Sequence, residues 1–176
     1  MNKVVIVING KGGVGKDTLC SFASKHYKIM NISSVDPIKE IAKTIGWDGK
    51  KDNKSRKLLS DLKRISTEYN NFPNKYLLEK YSQFMRSDFE ILFVHIRESE
   101  QIQNFIQELD IKTITLLIRR TTINSIYGNN SDDNVEKYDY DYIYNNDKSI
   151  IHAETDFLNF FDKLLTTEGI KHESNI

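Results

Sequence analysis

Gly10-Lys11-Gly12-Gly13-Val14-Gly15-Lys16 forms a G-x-x-x-x-G-K frame whose residue types suit one task, the gripping of a chain of phosphates. Glycines let main-chain N–H groups approach an anion, the N-terminus of a following helix adds a favourable dipole, and the Lys16 ammonium can reach β- and γ-phosphate oxygens. The frame directly follows the most strand-like stretch of the chain, Val4-Val5-Ile6-Val7-Ile8, and directly opens a helix, which is the setting this chemistry needs. A hydroxyl residue ordinarily follows the lysine of such a loop. Here Asp17 takes that place and the hydroxyl is deferred to Thr18.

The four residues Gly15-Lys16-Asp17-Thr18 resemble the loop of deoxynucleoside monophosphate kinases and some related P-loop kinases, in which Gly-Lys is followed by Asp or Gly and only then by Thr. The resemblance implies that residues 10 to 18 bind ATP and that Asp17 and Thr18 organise magnesium. A carboxylate is tolerable there because the metal and Lys16 supply positive charge, and it can hold metal-bound water. "SSVDPIKEIA" is similar to the family's segment after the second strand, which implies that Asp36 and Lys39 lie near the phosphoryl acceptor. From the residues alone, Asp36-Pro37 is also a helix start, with Asp as N-cap, and Lys39 a solvent-facing helix charge.

"LFVHIRESEQI" resembles the family's strand ending in Arg, which would turn Arg97 toward the phosphates and the acceptor. "LLIRRTTI" puts Arg119 and Arg120 after the fourth strand, where nucleotide kinases carry lid arginines able to clamp the transferring group. "YDYDYIYNND" is similar to the last strand and the turn near the donor base, so Asn145 and Asn146 are candidate base contacts. Arg56, and more loosely Lys63, lie in a helical insertion where an acceptor phosphate could be met. The resemblance covers roughly residues 3 to 146 and becomes diffuse in the insertion. It implies an ATP- and magnesium-dependent kinase acting on a nucleoside or deoxynucleoside monophosphate or a similar small phosphorylated molecule.

Two other readings remain open. "KGGVGKDT" also looks like the deviant loop of partition and septum-site ATPases, with Lys11 as signature lysine and "VDP" at 35 to 37 as an echo. Those proteins place a hydroxyl residue after the second lysine and need an aspartate at the end of a hydrophobic strand, whereas "FEILFVHIRE" ends in His-Ile-Arg. A nucleotide-binding module without transfer activity is the other.

The elements that must position these residues follow from periodicity. Unbroken apolar runs at 3 to 8, 89 to 96 and 112 to 118, with further strands at 28 to 34 and 140 to 144, alternate with amphipathic helices. The helices carry Leu19, Phe22, Ala23 and His26; Ile38, Ile41, Ala42 and Ile45; Leu58, Leu59, Leu62, Ile65 and Tyr69; Leu77, Leu78, Tyr81, Phe84 and Met85; Ile102, Phe105, Ile106 and Leu109; and Ala153, Phe157, Leu158, Phe161, Leu164 and Leu165. This predicts a single α/β domain over 1–176 with a five-stranded parallel sheet between two helical layers and ligands outside the carboxyl ends of the strands. Residues of about 36–86 form the helical insertion and about 119–137 a polar lid loop. The tail after 168 is expected to fray.

Lys plus Arg number 25 and Asp plus Glu number 25, so no overall field draws in a nucleic-acid polymer or an anionic membrane. The single Cys20 fits a reducing compartment, and the cytoplasm is the expected location of a monomer or homodimer. His26, His95, His152 and His172 lack metal-ligand spacing and read as packed or surface histidines.

Overall fold

Strand β1, Val4–Asn9, is buried at every position, as its β-branched run requires of a strand with a layer on each face. The computed structural model describes residues 2–50, 52–121 and 135–170, and β1 stands at the centre of a five-stranded sheet of order β2-β3-β1-β4-β5. The others are β2, Ile29–Ser33; β3, Ile91–His95; β4, Thr113–Arg119; and β5, Tyr142–Asn145. Every pairing is parallel, so all five carboxyl ends lie on one rim.

Side chains alternate along a strand, so β1 feeds two cores. Ile6 and Ile8 pack with Leu19 and Ala23 of α1, Lys16–Ala23, and with Phe157 and Phe161 of α6, Ile150–Thr167. Val5 and Val7 pack with Leu77 and Phe84 of α4, Phe72–Arg86, and with Ile102 and Phe105 of α5, Ser99–Gln107. The result is the expected three-layer α/β fold. Acidic residues tie α6 down by accepting tyrosine hydroxyls: Tyr27 donates to Asp162 (2.6 Å), Tyr144 to Asp156 (2.8 Å) and Tyr142 to Glu168 (2.5 Å).

Edge strand β5 is short and half exposed, yet it is stapled at both ends. Thr115 donates its N–H and Oγ1–H to Asp141 (2.7 and 2.8 Å), and Thr121 does the same to Asp147 (2.7 and 2.9 Å). These clips hold the β4 and β5 rim in register beyond the ladder itself.

Between β2 and β3 run α2, Asp36–Thr44, α3, Asn53–Asn70, and α4. Several expectations are corrected here. Helix α1 stops at Ala23, where Lys25 and His26 bond carbonyls three residues back. His26 is therefore exposed and Tyr27 takes the buried place. Val35, not Asp36, is the N-cap of α2; Asp36 opens the helix itself and its carboxylate accepts from Ser33 N (2.7 Å). Gly46, at φ 94°, closes α2 with paired bonds from Gly46 N to Lys43 O and Trp47 N to Ala42 O, which leaves Ile45 62% exposed.

Helix α3 departs furthest from its pattern. Leu58, Leu59 and Leu62 are half-buried while Ile65 and Tyr69 are 54% and 85% exposed. Its neighbours are α2 and α4 rather than the sheet, so its apolar stripe has less to lie against. The helix also starts earlier than the polar run suggests, because Asp52 caps it by accepting from Ser55 N (2.8 Å). The greater part of the expected lid, residues 122–134, and the last six residues of the tail lie outside the described residues.

Candidate active site

The loop after β1 is held by side chains from four directions. Asn9, 1% exposed, accepts from Gly10 N through Oδ1 (2.8 Å) and donates through Nδ2 to Arg97 O (3.0 Å) and Tyr140 Oη (2.7 Å). Lys16 lays its ammonium across the loop, donating to Gly10 O (2.5 Å) and Lys11 O (3.0 Å). Asn146, buried, donates Nδ2 to Val14 O (2.8 Å). Val14 itself is buried against the core beneath.

Two glycines are required by this packing. Gly10 has φ 148° and an added Cβ would lie 2.5 Å from Ile118 O; Gly15, at φ 94° the N-cap of α1, would meet Asn146 Nδ2 at 2.6 Å. Gly12 is half-buried and Gly13, at φ 82°, is exposed on the loop's outer side. The main-chain amides ahead of α1, its dipole and Lys16 thus converge on one place, as an anion site needs. Asp17 and Thr18 stand exposed on the first turn of α1.

Arg119 is the last residue of β4 rather than the first beyond it, in register with Asn145, and its carbonyl accepts from Asn146 N (2.8 Å). Its Nη2 lies 3.4 Å from Glu136 Oε2, and Lys11 Nζ lies 3.6 Å from Glu136 Oε1. Arg119 Nε is buried with no hydrogen-bond partner among the described residues. Lys11, Val14, Arg119, Arg120, Thr121 and Glu136 line one cleft beside the loop. A second cleft, lined by Gly15, Thr18, Phe22, Arg120, Asn146, Lys148 and Ile150, adjoins it, with exposed Arg120 on both. Asn145 is exposed at the end of β5, so the two asparagines read together from sequence differ in place: Asn146 supports the loop, Asn145 faces solvent.

On the other side of the loop, Arg97 is exposed just past β3 and its main chain is fixed by Asn9. Asp36 accepts from Lys39 Nζ (3.1 Å), so these two residues pair with each other on α2. Arg56 is half-buried in the first turns of α3. Lys63, its side chain 12% exposed, reaches from α3 to Glu98 at the start of α5 (2.5 Å). Burial pulls the Lys63 ammonium below its ordinary pKa against the opposing pull of Glu98, and Arg97 adds to the lowering.

Three residues without a recognisable signal belong to this site. Asn9 ends a strand run and Glu136 sits in a short 3₁₀ turn, Val135–Lys137, so neither stands in a motif. His95 ends β3 with Nε2 2.8 Å from Asn31 Oδ1 and 3.9 Å from Cys20 Sγ. Its pKa is held down to about 4, chiefly by lost hydration; Lys16 and Lys39 push the same way while Asp17 and Asp36 oppose. Among the described residues no three His, Cys, Asp or Glu side chains cluster to hold a metal by themselves.

No family model matches the chain, and no curated protein matches it. Among solved structures, a candidate kinase from Chloroflexus aurantiacus is similar over 94% of this chain and 97% of its own, with a TM-score of 0.56 at 12% identity. Dephospho-CoA kinase from Campylobacter jejuni is similar over 96% and 100%, with a TM-score of 0.53 at 14% identity. TT1252 from Thermus thermophilus is similar over 93% and 99%, with a TM-score of 0.50 at 14% identity. At these identities the likeness concerns the fold alone, a three-layer α/β arrangement around a five-stranded parallel sheet.

Proposed function

We propose that the chain is an ATP-dependent kinase that moves a γ-phosphoryl group to a nucleoside or deoxynucleoside monophosphate, or to a similar small phosphorylated acceptor. The observation that carries the reading is the loop itself: Lys16 spanning its carbonyls at the N-terminus of α1, with Lys11, Arg119 and Arg120 on one flank and Arg97 on the other. Phosphoryl transfer asks a protein mainly to position reactants and neutralise developing charge, and cations around a fixed anion cradle do both.

The residues present suit a triphosphate. Gly10 and Gly15 let the loop close against Ile118 O and Asn146 Nδ2, where a Cβ would clash, and the buried Arg119 Nε has no acceptor among the described residues, a place a phosphate oxygen can take. Asp17 and Thr18 would hold magnesium, which supplies charge neutralisation at the phosphates when bound. Lys16 orients the β and γ oxygens, while Arg97, Arg119 and Arg120 stabilise the transferring group. Asp36, Lys39 and Arg56 face the acceptor, and Asn145 lies toward the donor base. The helices between β2 and β3 form the acceptor wall, while the expected lid lies largely outside the described residues.

One observation weighs against the partition-type ATPase reading: β3 ends on His95 rather than on a carboxylate. Among the described residues no helix is long and apolar enough to cross a membrane, and the cytoplasm suits a kinase using ATP. The test is a mass-spectrometric screen of nucleoside monophosphates and other phosphorylated metabolites with ATP and magnesium. A product heavier by about 80 Da, roughly one phosphoryl group, identifies reaction and acceptor together. ATP hydrolysis on dimerisation, with no phosphorylated acceptor, supports the partition-type reading instead. Nucleotide binding with no turnover supports a non-catalytic module.

A further inference from the structure

Lys11 and Arg119 are cations of a phosphate cradle, yet one carboxylate already lies between them. Glu136 stands 3.6 Å from Lys11 Nζ and 3.4 Å from Arg119 Nη2, both longer than the 2.7–2.9 Å of a good charge-assisted hydrogen bond. Arg119 Nε, next along the same guanidinium, is buried and has no acceptor among the described residues. Among the described residues the two cations are therefore neutralised loosely, and one donor is left over for a better-placed oxygen.

The placement of Glu136 is built into the fold. Val135, fully buried, anchors the turn, and its carbonyl accepts from Tyr140 Oη (2.8 Å). The same hydroxyl accepts from Asn9 Nδ2, whose Oδ1 takes the N–H of Gly10, the first glycine of the loop. A chain of three hydrogen bonds thus sets the backbone beside Glu136 against the base of the cradle.

We propose that Glu136 is an internal counter-ion of the triphosphate seat, a carboxylate that competes with polyphosphate oxygens for Lys11 and Arg119 and thereby limits nucleotide affinity. The inference rests on the nucleotide-binding reading above and adds to it a residue that acts against binding. A triphosphate brings several oxygens, able to meet Nε and both cations at shorter range, and so displaces a single carboxylate. The three side chains are 36%, 41% and 45% exposed, so each pair is worth little in water and the effect is one of tuning.

Isothermal titration of wild-type protein, Glu136→Gln and Glu136→Ala with inorganic triphosphate and with ATP, at 0.1 and 0.5 M NaCl, tests this. Both variants are expected to bind triphosphate roughly three- to tenfold more tightly at low salt, with a smaller gain at high salt. Tighter binding cannot come from damaged folding, so the sign separates competition from structural support. Unchanged or weaker binding in both variants, with wild-type protein still binding triphosphate, overturns the counter-ion role alone. If no form binds triphosphate or ATP, the nucleotide reading falls and this inference with it.

Discussion

The loop after β1 and the helical segment between β2 and β3 are held by different means. Loop residues are fixed by side chains bonding to main chain, two of them buried: Asn9 to Gly10 and Arg97, and Asn146 to Val14, with half-buried Lys16 to Gly10 and Lys11. Helix α3 has one buried residue, Ser55, and it is joined to the strand rim by the Lys63–Glu98 pair. The contrast teaches a division of labour. On the proposed reading, a triphosphate that is the same in every turnover would meet the closely held loop, and the acceptor the more lightly packed region, better able to rearrange about its ligand.

The largest expected effect lies in the loop. Lys16→Ala should lower phosphoryl transfer by about 10²-fold or more, the scale of losing a charge that stabilises the transition state, with far-ultraviolet circular dichroism unchanged. Lys63→Met, by comparison, should raise the acceptor KM and leave the ATP KM alone. If the two variants shift both constants alike, the loop and helical region are not functionally separate. Arg120→Ala sharpens the comparison on the other flank: kcat should fall more than ATP affinity, and a pure affinity loss would remove its proposed role in transfer.

Next in size is the support of the cradle. Asn146→Ala leaves Val14 O buried without its partner and should cost about 1–3 kcal/mol in urea unfolding, with weaker ATP binding. Asn145→Ala, on an exposed side chain, should stay within about 0.5 kcal/mol. Equal effects would mean that the loop draws nothing from the Nδ2 bond. On α3, Ile65→Gln and Tyr69→Ser should likewise change stability by no more than about 0.5 kcal/mol, and α3 amides should exchange with solvent sooner than those of α1. Slow exchange along α3 would show that it belongs to the rigid part.

The sequence made legible what depends on near neighbours. Val4 to Ile8 announces a central strand because a continuous β-branched run has few other homes, and the glycine-lysine frame lies between that strand and α1 as its position in the sequence implies. The stripe from Leu58 to Tyr69 misled, since periodicity marks an apolar face without saying what lies against it. Asp before Pro is a common helix opening and so predicts Asp36 as a cap; the helix starts one residue earlier, and the Asp36 carboxylate accepts from Ser33 instead. Glu136 and Asn9 were invisible because their partners lie far along the chain: Lys11 and Arg119 for one, Arg97 and Tyr140 for the other.

His95 joins the two regions and supplies the smallest prediction. From the loop side it feels Asp17 and Lys16, from the helical side Asp36 and Lys39, and packing has removed much of its hydration. The folded pKa of about 4 lies below the ordinary value of 6.5, so the folded protein binds fewer protons there than the unfolded chain. Its contribution to stability is therefore complete above pH 6.5 and is lost as pH falls from there through 4. Replacing it by His95→Gln should remove that part of the acid slope, read as the difference between wild-type and variant denaturation curves at pH 7.5, 5.5 and 4.5. The imidazole resonances should titrate near 4 in the intact protein. A midpoint near 6.5 would mean that water reaches the ring, and that the junction between cradle and helical region is as loose as α3 itself.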